Sequence, residues 1–157
     1  MANIQKLEYM KVVVDSLTYG IAKAENRLTG KSTVISRLAR NGLVELLLES
    51  FKDFGITFDV TEDPIETLHN YIDVLLKSGL LSEDQFLKET NDDNVTITFT
   101  KCPYSIACND LIKDGITEFG CLRGASLWGA MVKSGKRITT RYVNDPGNCK
   151  VTLQVKN

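Results

Sequence analysis

The first hundred residues of the chain contain no cysteine, and the full 157 residues contain one histidine and one tryptophan. A cysteine–histidine nucleophile would therefore have to join His69 to a thiol far away in sequence. No pair of carboxylates stands out for acid–base work, so the reading leans away from an enzyme. No apolar run is long enough to cross a bilayer, and membrane insertion is not expected. The start, Met1 to Lys6, lacks the basic residues and apolar stretch of a signal peptide. A cytoplasmic location follows as an expectation, with cysteines as reduced thiols or metal ligands and disulfides as the alternative. No repeat, low-complexity tract or linker interrupts the chain. One domain over residues 1–157 is expected, with a helical layer over 1–80 and a sheet, short helices and the cysteines over 84–157.

Two nucleotide-related patterns fail on inspection. Leu28-Thr-Gly-Lys-Ser-Thr33 resembles the end of a phosphate loop, but Glu25 stands where the first glycine belongs, and a helix precedes it rather than a strand. The helix near Leu68–Leu81 followed by a hairpin imitates a winged helix. Asp63, Glu66 and Asp73 make it acidic, whereas a DNA reader needs positive charge facing the phosphates. No nucleic-acid partner is expected. Charge is nonetheless uneven. Residues 121–157 hold seven of the 19 Lys and Arg but only one, Asp145, of the 20 acids. A solvated basic hairpin is the favoured account, with an anionic ligand or an acidic partner surface as the alternative.

Hydrophobic residues at 43% and charged residues at 25% are those of an ordinary globular protein. Leu7, Met10, Val14, Leu17, Ile21 and Leu28 recur at helical spacing, and Thr29-Gly30 ends the run. Ser32 or Thr33 caps a second helix containing Val34, Leu38, Leu46, Leu47 and Phe51, which stops at Gly55. Its stretch Leu43–Leu48 is apolar almost all round, which predicts a central helix. Asp63, Pro64, Glu66 and Gly79 mark a third, with a capping box at its start. Ile56–Val60 is a short extended connection. The period then changes to two. Val95, Ile97 and Phe99 alternate with threonines, and Gln85–Thr90 pairs with that strand across the Asn91–Asn94 turn. Two shorter helices follow, Pro103–Asp114 and Cys121–Ser134. Arg137–Tyr142 and Cys149–Val155 form a second hairpin about the 144–148 turn. The expected class is α+β: N-terminal helices packed on a four-stranded antiparallel sheet made of two hairpins separated by one or two helices.

All four cysteines, Cys102, Cys108, Cys121 and Cys149, fall after residue 101. Cys102 and Cys108 have five residues between them, not the two to four of a zinc knuckle. Cys102 sits where a strand gives way to a helix, and Cys121 opens a helix. Cys149 shares a strand face with Val151, Leu153 and Val155, so it points inward if they do. Ends of elements can converge, and four thiolates would satisfy tetrahedral zinc. The plainer alternative is four small buried hydrophobes.

The segment Cys121-Leu-Arg-Gly-Ala-Ser-Leu-Trp-Gly-Ala-Met131, a strand, and then Asn144-Asp-Pro-Gly-Asn-Cys149 resembles the C-terminal half of the 4-vinyl-reductase-type, or hydrocarbon-binding, domain family. Cys121, Gly124, Gly129, Gly147 and Cys149 carry the match, which covers roughly residues 95–157. The element order is also similar to that family's distant relatives, the TRAPP tethering subunits. The resemblance implies a domain that binds a small apolar or aromatic molecule, with a structural zinc held by Cys121 and Cys149. A third family cysteine is expected where this chain has Arg141, Tyr142 and Val143, so Cys102 and Cys108 are assigned the missing thiolates. It further implies a homodimer paired through helices. His69 lies at the edge of the third helix's apolar stripe, either as a half-buried core histidine or as a pocket group for a ligand hydroxyl or carboxylate. Trp128 and Met131 share a helix side near Tyr104. Such a stripe is ordinarily core, and by the resemblance it lines the ligand cavity. The alternatives to a sensor or carrier are a ligand-free scaffold like the TRAPP subunits and a thiol-dependent enzyme.

Overall fold

Helical periodicity gives way to alternation near residue 82, and the backbone changes there as well. The computed structural model describes residues 2–32, 34, 38, 42, 44–102, 105–117, 119–145 and 147–156. Its elements run α1 (Ala2–Thr29), α2 (Val44–Asp53), α3 (Pro64–Lys77), a 3₁₀ turn (Glu83–Gln85), β1 (Phe86–Asn91), β2 (Asn94–Phe99), α4 (Ser105–Lys113), α5 (Leu122–Val132), β3 (Arg137–Val143) and β4 (Cys149–Lys156). This is the α+β order that the sequence predicts. Of the expected start of the second helix, Thr33 lies outside the described residues, whereas Ser32 is buried with its hydroxyl donating to the Ala22 carbonyl at 3.4 Å, and the Val34 amide donates to the Glu25 carboxylate at 2.6 Å.

The four strands form one antiparallel sheet in the order β1-β2-β4-β3. The two hairpins lie side by side, joined by β2 against β4, with Phe99 opposite Cys149 and Ile97 opposite Val151. Alternation decides which face is covered. Val95, Ile97, Phe99, Cys149, Val151 and Leu153 point inward and are buried. On the other face Thr96 and Thr152 hydroxyls meet across the strands at 3.2 Å. The inward face carries the main core, built with Leu68, Tyr71 and Ile72 of α3, Ala125, Leu127, Ala130 and Met131 of α5, and Leu48 of α2. The extended 56–60 connection lays Phe58 against Tyr71, ring centroids 5.0 Å apart.

Local chemistry fixes the ends of α3. Asp63 accepts a hydrogen bond from the Ile65 amide at 2.8 Å, and Pro64 occupies the first turn. The return bond expected from Glu66 is not made, so the cap is one-sided. Gly79, at φ 74°, supplies the left-handed residue that stops the helix. Gly124 on α5 has a different reason to lack a side chain. A Cβ there would stand 2.6 Å from Tyr142 Cε1 and 2.7 Å from Val151 Cγ2, so the helix lies close on the sheet only because this residue is glycine.

A second, smaller core lies apart from the first. Ala22 of α1 packs with Leu111 of α4 and with Ile116 and Phe119 of the following loop, and Tyr19, Cys108 and Ile112 rest against them. α1 makes its main contact with α4. The face it uses differs from the expected apolar stripe. Leu17 is 57% exposed and Leu28 85% exposed, with Ile21 exposed as well, while the buried positions are Asp15 and Ala22 beside half-buried Tyr19. α2 corrects its expectation in part: Leu48 enters the main core but Leu46 is exposed. α1 is held to α4 by polar bonds too. Tyr19 Oη donates to Asp114 at 2.7 Å, Lys23 pairs with the same carboxylate at 2.6 Å, and Lys23 also donates to Tyr19 Oη.

Candidate functional site

Cys102 follows β2, and its carbonyl accepts the Ser105 amide at 3.3 Å at the start of α4. Cys108 lies one turn into α4 and packs against the smaller core. Cys121 is the N-cap of α5, with its carbonyl taking the Ala125 amide at 2.8 Å. Cys149 opens β4 on the inward face, as its alternation with Val151 and Leu153 predicts. A tight turn delivers it: the Asn148 amide donates to the Asp145 carbonyl at 2.7 Å, and Gly147 takes φ 90°. Asn144 then ties this turn to the loop before α5 by donating to the Phe119 carbonyl at 2.9 Å.

These placements bring the four thiols to one end of the sheet. Burial, helped by the neighbouring Cys121, Cys149 and Cys102, pushes the Cys108 thiol up to about 12. Cys121 is raised to about 11, again chiefly by desolvation although the residue is only half-buried, with Cys102 and Cys149 contributing. Cys149 is raised by burial and by Cys102. All four sulfurs are therefore within electrostatic reach of one another, the property that sequence spacing could not establish. Backbone amides oppose these rises. Those of Gly124 and Arg123 act on Cys121, without closing into a cap hydrogen bond, and that of Asp145 acts on Cys149. No disulfide joins the cysteines. Among the described residues, no group of three or more His, Cys, Asp or Glu side chains could hold a metal ion as placed.

One residue at this site escaped the sequence reading. Asp15 on α1 is 4% exposed, and neither carboxylate oxygen has a hydrogen-bond partner. It faces Cys108, whose thiol its charge helps to raise, and the Ala107 amide in the first turn of α4. Desolvation lifts the Asp15 carboxyl above its ordinary value, against the opposing pull of Lys11 and that amide. The signal was present: Asp15, Tyr19 and Ala22 fall at i, i+4 and i+7 on one helix face.

The expected ligand-binding residues do not gather in one place. Tyr104 lies outside the described residues. Met131 is 0% exposed within the main core, and Trp128 packs at its margin with Nε1 donating to the Ile138 carbonyl at 3.1 Å. His69 is half-buried on α3, with Nε2 buried and unpartnered. Desolvation lowers its pKa, Lys88 adds to the lowering, and Asp73 and Asp63 oppose it. No known protein-family model matches the chain, and no curated protein matches it. No helix among the described residues is long and apolar enough to cross a membrane.

Proposed function

We propose that the chain is a non-catalytic binding domain whose cysteine cluster, Cys102, Cys108, Cys121 and Cys149, takes up a zinc-class divalent cation as a structural clamp. One observation carries the reading: thiols from four separate stretches of chain lie within electrostatic reach at one end of the sheet. Thiols that raise one another's pKa resist ionising together, and a divalent cation removes that resistance by binding the thiolates. The donor type fits zinc, and the amides near Cys121 and Cys149 suit negatively charged sulfur. Binding would have to draw the sulfurs closer together than they stand. Such an ion would join the two cores, since Cys108 belongs to the smaller one and Cys149 to the sheet. The same surroundings disfavour a thiol nucleophile, because desolvated thiols stay protonated at neutral pH.

Reduced, untagged protein is expected to contain one zinc per chain, and chelation is expected to lower its melting temperature. Metal-free protein whose melting is indifferent to added zinc would discard the reading.

The small apolar or aromatic ligand implied by the family resemblance has one support, the unpartnered buried Nε2 of His69. Trp128 and Met131 already serve the core. A scaffold or tethering role, with the chain paired as a homodimer, is favoured by a different observation: Tyr9, Val12, Leu17 and Leu28 on α1, and Leu46 on α2, are large, apolar and exposed. Native mass spectrometry separates these readings by reporting bound small molecule and subunit number together.

A further inference from the structure

The apolar positions of α1 keep a stricter spacing than an amphipathic helix requires. Leu7, Met10, Val14, Leu17, Ile21, Ala24 and Leu28 are separated by alternating steps of three and four, the heptad pattern of helices that pair along a common row. A helix packing only on its own domain has no need to hold that period. The fold leaves the row uncovered. Leu17, Ile21 and Leu28 are exposed, and α1 docks on α4 through a stripe roughly a third of the way around the helix, at Asp15 and Ala22. Gly20 borders the same row in mid-helix, where glycine weakens a helix relative to alanine. Its φ is not positive, and among the described residues a Cβ there would meet no atom within 4 Å. Neither backbone conformation nor packing within the single chain accounts for this glycine.

We propose that α1 pairs antiparallel with α1 of a second copy along this row, about a two-fold axis that passes beside Gly20. This rests on the paired-chain reading above, to which it gives an interface and a direction, and it is independent of the cation. A row of one period is matched by another of the same period, and a second copy supplies it. Setting Leu17 beside Ile21 of the second copy also sets Val14 beside Ala24, and the two-fold repeats each layer. The charges select the direction. In this register Lys11 stands opposite Glu25 of the second copy, twice over, whereas a parallel pair would set Lys6 against Lys11. Glu25 also accepts the Val34 amide within its own chain. The two copies of Gly20 then face each other across the axis, where the missing side chains let the helices approach closely.

The test uses the full chain. Sedimentation from micromolar to millimolar concentrations, with and without a chelator, is expected to show a monomer–dimer equilibrium that the chelator leaves unchanged. Leu17→Glu is expected to weaken association by roughly tenfold or more. The site is exposed in the single chain, so the circular dichroism of the variant should match the original. Gly20→Leu should weaken association to a similar degree, yet melt no lower in dilute solution, because leucine favours the helix. A short thiol-specific cross-linker should join two copies of Gly20→Cys far faster than the unaltered chain, whose own cysteines are buried or half-buried. Tyr9→Cys should not cross-link, since antiparallel pairing carries its two copies to opposite ends of the interface.

A chain that stays monomeric at every concentration would overturn this interface together with the paired-chain reading, and leave the cation reading standing. A dimer whose affinity Leu17→Glu and Gly20→Leu leave unchanged, or one that cross-links through Tyr9→Cys, would overturn the interface alone.

Discussion

The two cores of this protein differ in what holds them. The main one joins α2, α3, α5 and the sheet through some fifteen buried side chains, among them Leu68, Ile97, Met131 and Leu153. Among the described residues the other has four, Ala22, Leu111, Ile116 and Phe119. Burial supplies about 25 cal/mol per Å² of apolar surface, so the first assembly can stand on packing while the second has little to draw on. The second compensates with polar groups: Tyr19 and Lys23 on Asp114, Asn144 on the Phe119 carbonyl, and Cys108 and Asp15 at the seam. The lesson is that the chemistry-bearing residues of this chain sit where hydrophobic packing runs short.

Truncating each core in turn gives the largest contrast. Leu68→Ala removes a 0% exposed side chain from the main core and is expected to cost about 2–5 kcal/mol of global stability, read from urea unfolding by circular dichroism. Leu111→Ala, equally buried, should act locally. Hydrogen exchange is expected to quicken in α1 and α4 while the amides of β2 and β4 keep their protection. Equal loss of protection in both regions would show that the two cores unfold as one.

A smaller effect comes from pH. In the metal-free protein Cys108 holds its proton up to about 12, against 9.0 for an unperturbed thiol. The folded chain keeps a proton that the unfolded chain releases. Stability is therefore unaffected by this group below about pH 9 and falls as pH rises from there toward 12. Cys108→Ser should flatten that decline relative to the original chain, and identical slopes would mean that the thiol is not desolvated. The smallest effect is expected from Asp114→Asn, which removes the charge paired with Lys23 and leaves only a weaker, neutral acceptor for Tyr19 and Lys23 at a partly exposed site. It should loosen only the C-terminal half of α1, seen as faster exchange there.

Much of the fold was legible because it is written in local periodicity. The threonine alternation of residues 95–100, the Asp63-Pro64 start and the Gly79 stop each name an element and its boundary. Cys149 could be aimed inward from Val151 and Leu153 alone. What the pattern could not supply was long-range placement. The pairing of β2 with β4 joins segments some fifty residues apart, and nothing in either strand names its neighbour. α1 misled for a physical reason: its most apolar stripe, Leu17, Ile21 and Leu28, is turned outward, and it docks with a stripe containing an aspartate. A carboxylate among apolar neighbours reads as solvent-facing unless its partners are known. Cys108 and the Ala107 amide come from a segment ninety residues further on. The cysteines were recognisable as candidates but not as a cluster, since their spacing matches no standard module and their meeting depends on where three elements begin.

The strand order also bears on how the protein is made. β4 is central in the sheet, yet it is the latest of the four strands to leave the ribosome. Until residues 149–156 are available, β2 has one bare hydrogen-bonding side, and Val95, Ile97 and Phe99 lack half of their lining. The nascent polypeptide thus carries a sticky, half-built sheet from the synthesis of Phe99 onward and closes it only after Cys149 has emerged.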